Sequence, residues 1–174
     1  MKNLNPRSRT VQGTMRTAAF IALAAWSAFA AGPGKLPAFS LPDLEGRNRS
    51  NAEFSGQVVV VDFWATWCST CKETVPKLSE LQEKYKGQGL TVVGISVDKG
   101  SAEKIRKAAK KLGINYLVLQ DKDNTLSKEF GFTGIPSLYV FDRSGGLLSA
   151  LPGYDPDQEA ALAATTVKAL NQKP

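Results

Sequence analysis

Residues 58–71 read Val58-Val59-Val60-Val61-Asp62-Phe63-Trp64-Ala65-Thr66-Trp67-Cys68-Ser69-Thr70-Cys71. Four valines in a row predict a strand covered on both faces, because no polar residue alternates with them. Helical spacing follows, with Leu78, Leu81 and Tyr85 on one stripe, and predicts a helix from about Ser69 to Lys86 ended by Gly87. Cys68 and Cys71 are the only cysteines in 174 residues and stand at that strand-to-helix junction. A helix N-terminus favours thiolate over thiol, so two thiols at this junction form a redox pair. The alternative is an inert staple, but closing a loop over two intervening residues adds little through chain entropy.

Working outward, residues 36–50 hold Leu36, Phe39 and Leu41 around a Glu45-Gly46 turn and suggest a short hairpin. Beyond the first helix, Thr91–Val97 predicts a strand. Ser101 then opens a helix with Ile105, Ala108, Ala109 and Leu112 on its apolar face and Gly113 at its end. Tyr116–Leu119, Leu126–Phe130 and Ser137–Phe141 predict a strand, a short helix and a further strand. The turn residues 142–146 lead into Leu147–Leu151, a hairpin partner at the sheet edge, and Pro156–Ala169 is an alanine-rich helix. The order β-α-β-α-β-α-β-β-α specifies an α/β fold, a mixed sheet with helices on both faces.

The first thirty residues differ in character. Lys2, Arg7, Arg9 and Arg16 precede an uncharged apolar run, and Ala28-Phe29-Ala30 fits the small-x-small rule for cleavage. Residues 1–30 are therefore expected to be a signal peptide and residues 31–174 the folded domain. An uncleaved membrane anchor is the alternative, although an apolar run of 15 residues is short for a span. The whole chain carries 22 Lys and Arg against 16 Asp and Glu. Without the four leader cations, 18 remain against 16, and the net charge falls from +6 to +2. The basic balance thus belongs largely to the leader and argues for no nucleic-acid partner. Histidine is absent, which excludes Ser-His and Cys-His catalysis and His-containing zinc or blue-copper sites. Two cysteines cannot close a tetrahedral zinc site, and no cofactor or metal is expected.

The segment from Val61 to Lys72 closely resembles thioredoxin-fold active sites, and Gly134-Ile135-Pro136-Ser137 resembles the family's cis-proline loop. Residues 37–46 resemble the opening of exported TlpA/ResA-type thioredoxin-like proteins, and the helix and strand between Val97 and Asp121 sit where that family carries its central insert. The resemblance covers residues 36–171. It implies a thioredoxin fold with an N-terminal hairpin and a helix–strand insert, and thiol–disulfide exchange with protein disulfides. Cys68 is expected as the exposed nucleophile and Cys71 as the resolving thiol. Asp62, at the end of the four-valine strand, is a candidate proton acceptor for Cys71, since burial there would raise its pKa; an edge-exposed, solvated carboxylate is the alternative. Trp67 is expected to cover the dithiol. Ile135, preceding a cis Pro136, is expected to pair with an extended partner.

Ile135, Asp62 and the missing histidine point toward a reductase. The resemblance then implies a membrane thiol–disulfide electron donor and a periplasmic or otherwise exported location; a monomer is the default. TlpA/ResA-like proteins usually place a glutamate three residues after the second cysteine, where this chain has Thr74. Glu73 would point about 100° away on a helix and is no substitute. Two alternatives remain. One is a thiol peroxidase, against which Ala65 stands where that chemistry needs threonine, and the other is a Cu(I)-binding module using the two thiolates.

Overall fold

The computed structural model describes residues 32–153 and 155–172. The expected signal peptide, residues 1–30, lies outside the described residues. None of the described helices is long and apolar enough to cross a membrane.

The chain opens with a small antiparallel hairpin, β1 (Ser40–Pro42) and β2 (Asn48–Ser50). Its turn is held by Asp43, whose carboxylate accepts from the backbone of Glu45 and Arg47 and from the Arg47 guanidinium at 2.8–3.0 Å. A 3-10 turn at Asn51–Phe54 then drops Phe54 into the core. The valine run becomes β3 (Val58–Trp64), buried along its whole length. After it come α1 (Cys71–Tyr85), β4 (Leu90–Ser96), α2 (Ala102–Leu112) and β5 (Leu117–Gln120). The chain closes with α3 (Thr125–Phe130), β6 (Ser137–Phe141), β7 (Leu147–Pro152) and α4 (Pro156–Leu170).

The main sheet has the order β5-β4-β3-β6-β7, with β4 parallel to β3, β5 parallel to β4, and β6 and β7 antiparallel to their neighbours. Strand alternation divides β3: Val58, Val60, Asp62 and Trp64 face one way, Val59, Val61 and Phe63 the other. The first face packs against α1, α2 and α4 through Leu78, Ile105 and Leu162. The second buries Phe63 against Phe130 of α3, ring centroids 4.8 Å apart, beside Phe54 and Tyr139. Each such fully buried side chain contributes about 1.5–3 kcal/mol.

Two boundaries move from the sequence expectation. Helix α1 starts at Cys71, not Ser69, because the Ser69 and Thr70 carbonyls accept tighter i→i−3 bonds, from the Lys72 and Glu73 N–H groups at 3.3 and 3.0 Å. It ends at Tyr85, and a 3-10 turn carries the chain to Gly89, whose φ of +87° makes the stop expected at Gly87. Gly113, at φ +72°, ends α2 as expected. Ser101 begins α2 with its backbone carbonyl rather than a side-chain cap.

Candidate active site

The turn Ala65–Cys68 carries the chain from the end of β3 to the head of α1, and there Cys68 and Cys71 form a disulfide with Cα atoms 5.4 Å apart. The first-turn N–H groups of a helix have no intrahelical partner. Here the Cys71 N–H points at Cys68 Sγ, 3.1 Å away, and the Thr70 hydroxyl lies 3.6 Å from the same sulfur. Both contacts, with the helix dipole, favour negative charge on Cys68 once the bond is reduced. Cys71 is closed off beneath it.

The site is less open at Cys68 than the sequence suggests. Cys68 retains 6% of its surface and Cys71 1%, so the expected exposed nucleophile is instead a nearly buried one, the more accessible of the two sulfurs. Trp67 is far more exposed. It keeps 70% of its surface at the outer corner of the Ala65–Cys68 turn. Its ring lines one wall of an open cleft of about 430 Å³ that also includes Val97, Ser127, Phe132, Gly134 and Ile135. Trp64, by contrast, is fully buried.

The loop after α3 brings the second landmark to the same place. The Ile135–Pro136 peptide is cis, and Ile135 packs against the cluster that contains Cys68, Cys71 and Trp64. The Ser137 hydroxyl donates to the Gly134 carbonyl at 2.7 Å, and the Gly153 N–H donates to the Pro136 carbonyl at 2.8 Å, which ties the loop to β7. Cys68, Cys71, Trp67, Ile135 and Pro136 therefore converge on one end of the sheet.

Asp62 lies on the α1 face of β3, between Gly94 of β4 and Leu138 of β6, with no exposed surface. Oδ2 accepts from the Tyr116 hydroxyl at 3.3 Å and Oδ1 has no partner among the described residues. Burial penalises the carboxylate and raises its pKa to about 7, against a smaller lowering by the Tyr116 bond. The same burial, with the Asp62 charge, pushes the Tyr116 phenol well above its ordinary value. Thr74 is buried on α1, its hydroxyl donating to the Cys71 carbonyl at 3.1 Å, while Glu73 and Lys72 are exposed.

Two residues of the site escape a reading of the sequence. Tyr116 ends a loop more than fifty residues from Asp62, and only the sheet order brings them together. Asp98, just past β4, is buried; its carboxylate accepts from the Thr66 N–H at 2.8 Å, the Thr66 hydroxyl at 2.7 Å and the Ser96 hydroxyl at 2.9 Å. It fastens the turn that delivers Cys68. An aspartate directly after an apolar strand was the one available signal for it.

A sequence profile of the AhpC/TSA family matches residues 34–149. The thiol-disulfide oxidoreductase ResA of Bacillus thuringiensis subsp. konkukian is 28% identical over 117 residues, covering 67% of each chain. Among solved structures, a Chlorobium tepidum protein provisionally described as the thiol:disulfide interchange protein DsbE superposes with a TM-score of 0.74. It is 29% identical and covers 80% of this chain and 98% of its own. A second Chlorobium tepidum structure, a thiol:disulfide interchange protein of the thioredoxin family, has a TM-score of 0.69 and 30% identity, covering 80% and 97%.

Proposed function

This chain belongs to the AhpC/TSA family and is a thiol–disulfide oxidoreductase, and from that premise we propose that it reduces protein disulfides through Cys68 and Cys71. The observation that carries the assignment of roles is the 3.1 Å contact from the Cys71 N–H to Cys68 Sγ at the head of α1. In the reduced protein the Cys68 thiolate attacks a partner disulfide, forming a mixed disulfide and expelling one partner thiolate. Cys71 gives its proton to the Asp62 carboxylate and its thiolate attacks Cys68 Sγ. The Cys68–Cys71 disulfide forms and the second partner thiolate leaves. The partner gains two electrons and, from solvent and Asp62, two protons; the dithiol is oxidised. Ile135 and Pro136 hold the partner's extended backbone, and Trp67 offers its exposed face beside the sulfur.

The reductive direction is supported by the absence of an imidazolium near Cys68, by Ile135 before the proline, and by a buried carboxylate able to take the Cys71 proton near neutral pH. Export through residues 1–30 and recharging by a membrane thiol–disulfide donor belong to the same proposal, which rests there on the basic and apolar character of the leader. The direct test is Cys71→Ser, which should accumulate a mixed disulfide with reduced-state attack on insulin, whereas Cys68→Ser should form none. A covalent adduct on Cys71 in the Cys68→Ser protein, matching wild-type turnover, would reverse the assigned roles.

A further inference from the structure

We propose that Tyr116 is a positioning residue of this active site, holding Asp62 across the width of β4 and so setting the pH at which Cys71 is deprotonated. The proposal rests on the reading of Asp62 as the proton acceptor. Three features of the structure carry it. The Tyr116 hydroxyl contacts Asp62 Oδ2 at 3.3 Å although β4 lies between β3, which bears Asp62, and β5, which Tyr116 immediately precedes. The crossing is possible because the intervening residue is Gly94: a Cβ there would sit 3.0 Å from Tyr116 Cε2 and 3.1 Å from Trp64 Nε1. The loop that presents Tyr116 is also fastened to α1. The Ser79 hydroxyl donates to the Gly113 carbonyl at 3.2 Å, and the Asn115 amide donates to the Ser79 carbonyl at 3.1 Å. The helix that bears Cys71 thus holds the loop that bears Tyr116.

Few other groups can set the proton affinity of Asp62. The inward residues of α1 are Cys71, Thr74, Val75, Leu78 and Ser79, and those of α2 are Ile105 and Ala109. The charged residues of both helices are exposed. Neighbouring positions on the sheet are Gly94 and Leu138. On α4 the inward acid is Glu159, paired with Lys77 at 2.5 Å. Among the described residues Tyr116 is therefore the titratable group in hydrogen-bond contact with Asp62, and Cys71, on the helix that covers the same face of β3, is the one that loses its proton in the reaction. A phenol donating to the carboxylate stabilises the ionised form that must accept that proton.

The test is Tyr116→Phe, which keeps the ring that fills the space over Gly94 and removes only the hydroxyl. Two quantities are read: the Asp62 carboxyl titration, by difference infrared spectroscopy against Asp62→Asn, and the pH profile of mixed-disulfide resolution. Loss of the hydroxyl should move the carboxyl titration up by about one pH unit or more, and the acid limb of resolution with it. A carboxyl titration that stays in place overturns the proposal. If the carboxyl moves while the resolution profile does not, Tyr116 sets Asp62 as proposed and Asp62 is not the acceptor. Gly94→Ala, whose added methyl displaces Tyr116 or Trp64, should shift the titration as well; an unmoved titration in that variant counts against the close approach.

Discussion

Asp62 brings a carboxylate into the centre of a sheet with, among the described residues, one hydrogen bond, from Tyr116. Its pKa near 7 in the folded protein lies well above that of an unfolded aspartate. Between about pH 4 and 7 the folded state keeps a proton that the unfolded state has released. The stability that Asp62 contributes is therefore fully present below about pH 4, falls as pH rises through that window, and is lost above about 7. Asp62→Asn should abolish the slope, leaving the variant more stable than wild type at pH 8 by up to about 4 kcal/mol and similar near pH 3.5. Urea unfolding of the oxidised proteins at both values checks this; equal stabilities at pH 8 would mean that the carboxyl is not held neutral by burial. The sequence places Asp62 at the end of a run of four valines and leaves open whether it is buried or at a solvated edge; the sheet order, with β4 and β6 on either side, buries it. Its partner is not legible there, since a tyrosine at the start of a predicted strand is indistinguishable from core filling.

The connection between β3 and α1 is short and held from outside by Asp98, through three hydrogen bonds to Thr66 and Ser96. Asp98→Ala leaves the Thr66 N–H and two hydroxyls without that acceptor and should cost about 2–4 kcal/mol. It should also slow attack by Cys68, since the turn no longer holds the sulfur against the Cys71 N–H. Chemical denaturation and single-turnover rates with a disulfide peptide measure the two effects, and wild-type values for both would remove Asp98 from the account. At this scale the long elements were readable: β3 from its continuous apolar run, α2 from its 3.6-residue period, and the α2 stop from Gly113. The 3-10 turn at Asn51–Phe54 is four residues long and has no period to detect. The 70% exposure of Trp67 follows from its place at the outer corner of the turn, which only the turn geometry reveals.

The molecule as a whole places its chemistry at one end of the sheet, where β3, the head of α1 and the Ile135–Pro136 loop meet. The rest of the chain supplies rigidity, with aromatic packing of Phe63, Phe130 and Tyr139 on one face and aliphatic packing under α1 and α4 on the other. A larger open groove, about 760 Å³ between α1 and α4, is lined by Leu81, Tyr85, Ala163 and Val167 and includes neither cysteine. What this end of the molecule does to a partner depends on how strongly the dithiol holds its electrons. The reduction potential of the Cys68–Cys71 pair, measured by equilibration with glutathione or dithiothreitol at pH 7, tests this most directly. A reductase requires a value of about −230 mV or lower, toward the thioredoxin end of the scale. A value near about −120 mV would make the protein an oxidant of thiols and contradict the direction assigned to it here.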